Sequence, residues 1–335
     1  MQYRDKFMKL AFLQHKRAIP CLLLALLIVT FLTYEPGLYG TFIFDDHLNI
    51  AENTGIRITT LSWEQIVTSL NSGIASTIGR PLSMLTFGLN YFFTGLNPLG
   101  FKITNVVIHL IASLGIYFLA RELLYIGQQP TANDKRRLQL TALFITACWA
   151  LHPLNVSSVL YIVQRMTLLA AVPVIYALVI DCKTRQNPDI TPTQAFLRFC
   201  LIVVLLVAGI LFKENAVLLV LFIFAIEVFL LHFKAPSRGQ QLFLRLYFGV
   251  LVVVPAVLGF LILIFAPDKI IGGYDVRAFT MGERLLTEAR VIWMYIYWLI
   301  LPDTRQFTLH HDNFRFPTAS SIRFPHSYQS WASSR

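Results

Sequence analysis

The chain has 335 residues, of which 56% are hydrophobic and 14% are charged, and its formal net charge is +10. This length would suit about two soluble domains, but so few charges and a mean hydropathy of +0.61 exclude a surface covered by water. We therefore predict an integral membrane protein. It should be an all-α polytopic helical bundle, because a bilayer offers no hydrogen-bond partners to an open sheet.

The first predicted element is an apolar helix over residues 19–32. Five cationic residues precede it, as they would precede a secretory signal, but residues 34–37 read YEPG and contain no small-residue cleavage site. We interpret this helix as an uncleaved first span. Residues 1–18 then form a cytoplasmic amino terminus.

Residues 35–102 form the predicted first outer loop, which is too long for a simple connection and should be structured. It carries the sequence FIFDDHLNI, in which Asp45 and Asp46 are adjacent. Apolar residues recur at helical spacing behind Ser62, which predicts a short amphipathic helix with that serine as its N-cap. A second short helix is predicted over residues 82–93.

Further apolar stretches follow the loop and bring the expected total to about eight spans, since each crossing takes about 20 apolar residues. The chain must turn at residues 213–215 and at His152 and Pro153, because polar residues or proline interrupt long apolar runs there. The predicted spans after the loop cover residues 103–124, 138–151, 159–180, 196–212, 216–233, 246–266 and 287–301.

Counting crossings places the clusters of Lys and Arg around residues 121–137, 183–198 and 234–245 on the amino-terminal side of the membrane. This pattern obeys the positive-inside rule and explains most of the net charge without a nucleic-acid partner. Ionisable groups at the opposite face are costly and should pair with each other or with a ligand. That outer face holds Asp45, Asp46, His152, Gln164, Arg165, Lys213 and Glu214.

Several motifs in register carry a resemblance to one family. In chain order they are FIFDDHLNI, GRPLSMLTFGLNYFFTGLNPLGFKITNVVIHL, LHPLNVSSVLYIVQRMTLLAA, LFKENAV and ERLLTEARVIWMYIYWLILPD. They resemble the membrane half of the transmembrane and tetratricopeptide-repeat-containing O-mannosyltransferases and their bacterial relatives, which are C-type (GT-C) glycosyltransferases. The resemblance covers residues 19–312. Residues 313–335 form a polar tail that departs from the family, which predicts a truncated or out-of-frame carboxyl end.

The resemblance implies transfer of a sugar, with mannose expected, from a polyprenyl-phosphate donor to a Ser or Thr hydroxyl of a protein acceptor. It also implies a bacterial inner membrane with the site on the periplasmic side, in contact with membrane lipid. Asp45 and Asp46 match the acidic motif of the family. A hydroxyl is a poor nucleophile near neutral pH, so a carboxylate would act as its base. We favour Asp45 as this base, with Asp46 positioning it, and we expect their repulsion to raise one pKa of the pair.

The anionic leaving group requires cations, and the candidates for binding the donor phosphate are Arg165, Lys213 and Arg80. Arg165 could instead form an ion pair with Glu214 or an aspartate. Lys213 could instead extend from its helix end to the membrane surface without binding the donor. For one further candidate, His109, an interhelical hydrogen bond is the competing interpretation. The candidates that would line the substrate cavity are His47, His152, Gln164, Glu214 and His109.

The expected chemistry requires no cofactor. A divalent cation bound by Asp45 and Asp46, with His47 or Glu214, is the alternative to an aspartate base. Cysteine spacing predicts neither an external disulfide nor a structural zinc site. Two other function classes remain open, a lipid or solute transporter and an inactive membrane scaffold.

Overall fold

The computed structural model describes residues 17–74, 76, 78–128, 131–265 and 280–302. Every regular element within these ranges is helical, which confirms the all-α prediction. The predicted polar tail and residues 1–16 of the predicted amino terminus lie outside the described residues. The α-helices are α1 (Ala18–Tyr34), α2 (Trp63–Leu70), α3 (Pro81–Thr94), α4 (Pro98–Tyr125), α5 (Ala132–Ala150), α6 (Asn155–Leu160), α7 (Arg165–Gln186), α8 (Pro192–Phe212), α9 (Leu218–Ile226), α10 (Arg238–Leu246), α11 (Val254–Phe265) and α12 (Met281–Ile300).

Local sequence determines where several of these helices begin. The Ser62 hydroxyl accepts a hydrogen bond from a backbone N–H in the first turn of α2, as predicted. Asn97 caps α4, and Pro98 occupies its first position, where no N–H is needed. α8 begins with a capping box in which the side chains of Thr191 and Gln194 each accept a backbone N–H from the other residue.

Six helical stretches of the described chain are long and apolar enough to cross a membrane, so the protein is an integral multi-pass membrane protein. The remaining two predicted spans, 138–151 and 287–301, fall in α5 and α12. Both of those helices have charged residues in their first turns, which lowers their hydropathy. The six stretches are residues 18–37, 98–125, 162–186, 192–212, 214–231 and 238–265.

The described residues of Met1–Val252 form one compact unit, in which α7 packs against both α4 and α8. α4 and α7 run parallel, because Asn105 near the start of α4 contacts the carbonyl of Ile162, whereas Gln186 at the end of α7 donates to the carbonyl of Glu122. α8 returns antiparallel to α7. We call the end of this bundle that carries residues 35–97 the loop end, and the end where α4 and α7 finish the basic end.

Residues 35–97 are folded onto the loop end. The helices α2 and α3 match the two short helices predicted there, and they pack closely because α3 has Gly88 at the contact. A Cβ on Gly88 would lie only 2.5 Å from the Ser69 hydroxyl of α2. The same hydroxyl donates to the carbonyl of Met84 at 3.2 Å. This packing gives the loop a defined structure that can position side chains.

The helices α11 and α12 belong to a second unit, Val253–Arg335. α12 begins with a capping box between Thr280 and Glu283, and Arg284 pairs with Glu288 one turn later at 3.6 Å.

Candidate functional site

Asp46 is a buried structural anchor at the loop end. It is 0% exposed, and its two carboxylate oxygens accept hydrogen bonds from two backbone N–H groups, those of Ile43 at 3.1 Å and Val163 at 2.7 Å. Its side chain therefore ties the first loop to the residues that precede α7. Burial raises the pKa of Asp46, although both N–H groups and the charge of Lys102 oppose the shift. The sequence predicted that repulsion between the paired aspartates would raise one pKa, but desolvation is the main cause of the raised pKa of Asp46.

Asp45 is exposed, so the two adjacent carboxylates have opposite environments. Phe44 adopts a left-handed backbone conformation with φ of 45°, which an L-residue other than glycine rarely adopts. The backbone N–H of Asp45 donates to the Tyr161 hydroxyl at 3.0 Å, and its carbonyl accepts from Asn49 at 2.9 Å. These contacts orient the exposed carboxylate without burying it.

Arg165 is the most enclosed cation at the loop end. It is 0% exposed and donates to the side chains of Asn105 at 2.6 Å and Asn90 at 2.7 Å. It also donates to two backbone carbonyls of α3 and α4, and its guanidinium lies 4.8 Å above the ring centre of Phe87. Four donated hydrogen bonds leave it little capacity for a phosphate. In this structure Arg165 joins α3, α4 and α7, and Glu214 pairs with a different arginine.

That other arginine is Arg80, whose Nη2 lies 3.1 Å from Glu214 Oε2 and whose Nε donates to the same oxygen at 3.2 Å. The pair is partly exposed, with side-chain exposures of 19% and 37%. Ser76 also hydrogen-bonds to this carboxylate. Like Phe44, Arg80 adopts a left-handed backbone conformation, with φ of 53°. The pair therefore lies at a surface that an anion can reach.

Lys213 lies next to Glu214 and is partly buried. Its ammonium donates to the Thr167 hydroxyl at 2.7 Å, which in turn donates to Gln164 Oε1 at 2.9 Å. Burial lowers the pKa of Lys213, the positive charge of Arg80 lowers it further, and Glu214 opposes both effects. An anion bound between the two cations would relieve their repulsion.

One short segment, residues 161–167, connects most of these groups. Tyr161 contacts Asp45, Val163 contacts Asp46, and Met166 lies 3.5 Å from Arg80. The structure therefore places Asp45, Asp46, Arg80 and Lys213 in contact with this segment, which contains Gln164. Glu214 is connected to it through Arg80.

The three candidate histidines have different surroundings. His109 is 0% exposed; its Nε2 lies 2.9 Å from the carbonyl of Ala150, and its ring stacks on Trp149. This is the interhelical contact of the competing interpretation. His152 accepts the backbone N–H of Leu154 at 3.2 Å, which fixes the turn after α5. His47 is exposed beside Asp46.

The described part of the chain has no group of three or more His, Cys, Asp or Glu residues placed to hold a metal ion. Both oxygens of Asp46 already accept backbone N–H groups, which disfavours the paired aspartates as ligands. The divalent cation stays an alternative prediction.

Sequence analysis missed four residues that organise the site. They are polar residues in or beside apolar stretches, and that position is the signal that could have identified them. Lys102 is 5% exposed, donates to the carbonyl of Gly37 at 3.1 Å and acts electrostatically on Asp46. The four residues are Asn90, Lys102, Asn105 and Tyr161.

A cavity of about 480 Å³ lies between α3 and α4. Its walls are mainly apolar and include Leu89, Phe93 and Ile103, while Asn90 and Thr104 contribute polar atoms. Because Asn90 also binds Arg165, the cavity adjoins the packing that supports the site.

Comparison with known proteins confirms the resemblance. The chain is 32% identical to protein O-mannosyl-transferase TMTC1 of Mus musculus over 42% of its own length and 14% of that protein. It is 30% identical to TMTC4 of Mus musculus over 43% of the chain and 20% of that protein. A protein O-mannosyl-transferase of Caenorhabditis elegans, F38B6.6, is 24% identical over 84% of the chain and 38% of its own length.

The chain thus aligns with less than half the length of each of these relatives. No family model matches it, and no solved structure shows a significant match.

Proposed function

We propose that the chain is a membrane glycosyltransferase that moves a mannosyl group from a polyprenyl-phosphate donor to a Ser or Thr hydroxyl of a protein. The names of its relatives, protein O-mannosyl-transferases, support the choice of sugar and acceptor. The observation that carries the proposal is the difference in exposure between the two adjacent aspartates. Asp45 is exposed, whereas buried Asp46 holds the turn that presents it.

Asp45 is the proposed catalytic base. Its carboxylate takes the proton of the acceptor hydroxyl as the hydroxyl oxygen attacks the anomeric carbon of the sugar. The bond between that carbon and the phosphate oxygen breaks, and its electron pair leaves with the polyprenyl phosphate. A single displacement of this kind inverts the configuration of the anomeric carbon. Asp46 and Tyr161 act as positioning residues, through the backbone contacts described above.

Arg80 and Lys213 are the proposed partners of the donor phosphate. Arg80 has a planar fork of donors suited to a phosphate, and Lys213 adds a point charge. Both lie beside the half-exposed carboxylate of Glu214, which holds Arg80 in place until an anion arrives. Arg165 takes no part in this binding in our proposal, because α3 and α4 already occupy four of its donors.

The donor lipid would lie in the cavity between α3 and α4. The volume of about 480 Å³ falls within the usual range for small-molecule sites, and its apolar walls suit part of an isoprenoid chain. The cavity belongs to the loop end, where the cations lie, so the tail and the phosphate of one donor would be held at the same end of the bundle.

We assign the loop end to the periplasmic side of a bacterial inner membrane. Support for this orientation comes from the Lys and Arg residues at the opposite end, because cationic loops are retained in the cytoplasm. The bacterial location rests on the resemblance of the motifs to bacterial members of the family. The proposed reaction needs no cofactor.

The test uses the purified chain in lipid nanodiscs with a serine- and threonine-containing peptide and a panel of polyprenyl-phosphate-linked sugars. We expect release of polyprenyl phosphate from the mannosyl donor. Asp45→Asn should slow this release roughly 10²- to 10⁴-fold, the usual contribution of a general base. Glu52→Gln removes another exposed carboxylate of the loop and should leave the rate unchanged.

Absence of release from every donor, with folded protein, would overturn the proposal and favour an inactive scaffold. If a chelator abolishes release of polyprenyl phosphate, a metal-assisted mechanism replaces the aspartate base in the proposal. Release that survives Asp45→Asn unchanged would remove Asp45 from the mechanism.

A further inference from the structure

The basic end contains a second, fully enclosed group of charges that the proposed reaction does not use. Near its end α7 carries Asp181 and Arg185 one helical turn apart, and Glu227 follows the last residue of α9. Arg185 and Glu227 form an ion pair whose side chains are both 0% exposed. Arg185 Nε and Nη2 donate to the two carboxylate oxygens, and Nη2 also donates to the carbonyl of Lys234 at 2.8 Å. The ion pair is therefore electrically neutral by itself.

Asp181 has no such partner. It is 0% exposed, and neither of its carboxylate oxygens has a hydrogen-bond partner among the described residues. The same holds for Nη1 of Arg185. Buried polar atoms are nearly always hydrogen-bonded, since leaving them unpaired is costly. Two acceptors on Asp181 and one donor on Arg185 thus lie one turn apart on α7, without an ion pair between them.

The charges in this cluster do not balance. Two carboxylates, Asp181 and Glu227, accompany one guanidinium, that of Arg185, which leaves one excess negative charge inside a membrane-embedded bundle. Such a charge is costly unless a cation accompanies it.

Among the described residues, Arg185 is the only cation that acts electrostatically on Asp181, and the side chain of the nearby Lys234 is exposed. α7 adds Cys182, α4 adds Glu122, and Tyr247 follows α10; none of these carries positive charge. Arg121 is committed to Glu122 at 2.6 Å. Arg198 of α8 donates to the carbonyl of Lys183, in an exposed contact.

A metal ion does not fit this position. Hard cations take about six or more oxygen ligands, whereas only the two oxygens of Asp181 are uncommitted, because Glu227 accepts from Arg185. No group of metal-ligand residues of sufficient size exists in the described ranges. A proton needs a single oxygen. The chemistry of the cluster therefore selects a proton over a metal cation.

We propose that Asp181 is a proton-binding site and that Asp181 and Arg185 share a bound water, which accepts the O–H of the acid and the Nη1–H of the guanidinium. The bound proton makes the cluster electrically neutral. Its loss would place a negative charge in the bundle, so the native state should lose stability as pH rises. This inference does not depend on the proposed transferase function, because neither its residues nor its test involve the loop end.

The test measures the thermal unfolding midpoint of the chain in lipid nanodiscs from mildly acidic to alkaline pH. Wild type should unfold at lower temperature as pH rises, because the native state keeps the proton after the unfolded chain has lost it. Asp181→Asn imitates the protonated acid and should make that decrease smaller, while matching wild type most closely at the acidic end of the range. Asp189→Asn, which changes an exposed aspartate just beyond α7, should behave like wild type.

Infrared spectroscopy provides an independent readout. A carbonyl band of a protonated carboxylic acid should be present at neutral pH in wild type and in Asp189→Asn, and it should be lost in Asp181→Asn. If Asp181→Asn does not fold, Asp181→Ser replaces it in this comparison. The wild-type protein also provides a test without any variant, because its carbonyl band should be present at neutral pH and disappear at high pH.

Three results would overturn the proposal. If the band persists without Asp181, or if Asp181→Asn follows the wild-type pH dependence, the proton is not on this residue. If replacing sodium by choline lowers the wild-type midpoint, a metal cation occupies the site instead.

Discussion

The two ends of the bundle each contain an arginine–glutamate pair and an aspartate, but they differ in exposure. At the loop end Arg80 and Glu214 have side-chain exposures of 19% and 37%, and Asp45, at the same end, is exposed. At the basic end Arg185 and Glu227 are both 0% exposed, and so is Asp181. The same residue types therefore suit binding and proton transfer at one end and charge compensation inside the bundle at the other.

The largest stability effect should come from the enclosed pair. Arg185→Leu would leave Glu227 buried without a partner, and breaking a buried ion pair in this way costs roughly 3–5 kcal/mol. Arg245→Leu, at an exposed position on α10, should cost far less. Chemical denaturation of the two variants in detergent measures the difference. Equal losses would show that the enclosed and exposed charges are not distinguished by burial.

Asp46→Asn tests whether the loop end also contains a structural charge. An amide can accept only one of the two N–H groups that Asp46 now accepts, and its NH₂ would face the other, at a cost of roughly 1–3 kcal/mol. Asp45→Asn should leave the free energy of unfolding unchanged. Thermal unfolding of the two variants measures this difference. Equal losses of stability in both variants would contradict the prediction.

Arg80→Gln should change donor binding more than stability. Partly exposed ion pairs contribute only about 0–1 kcal/mol to folding, whereas a lost charge-assisted hydrogen bond to a phosphate should raise the KM for the donor roughly tenfold. Lys213→Met should also raise that KM. Steady-state release of polyprenyl phosphate measures both. A change in kcat alone, with KM preserved, would contradict the assignment of these cations to the donor.

The smallest effects should come from pH. Burial raises the pKa of Asp46, so the native state binds its proton more tightly than the unfolded chain, and this residue's contribution to stability falls as pH rises between the two pKa values. Burial lowers the pKa of Lys213, so its contribution rises with pH in the alkaline range. The unfolding midpoint of Asp46→Asn should therefore fall less with rising pH than that of wild type, and the midpoint of Lys213→Met should rise less in the alkaline range. If the midpoint of Asp46→Asn falls as steeply as that of wild type, another group causes this pH dependence.

Much of the fold could be predicted because membrane-spanning helices satisfy their own backbone hydrogen bonds, so span length and apolarity suffice to locate them. The turns at residues 213–215 and at His152 needed only the interruption of an apolar run. The short helices α2 and α3 followed from a cap and from apolar spacing. Charged first turns made α5 and α12 harder to assign as spans, since a local window does not show what compensates those charges.

The sequence by itself determined the fold class, the pair of aspartates and the grouping of the polar loops at one end. Only the tertiary structure decided that Asp45 is exposed and Asp46 is buried, that Arg165 donates four hydrogen bonds to α3 and α4, and that Asp181 lies near an enclosed ion pair. The physical reason is that exposure and hydrogen-bond partners depend on contacts between residues far apart in the chain. Asp46 and Val163, for example, are separated by 117 positions.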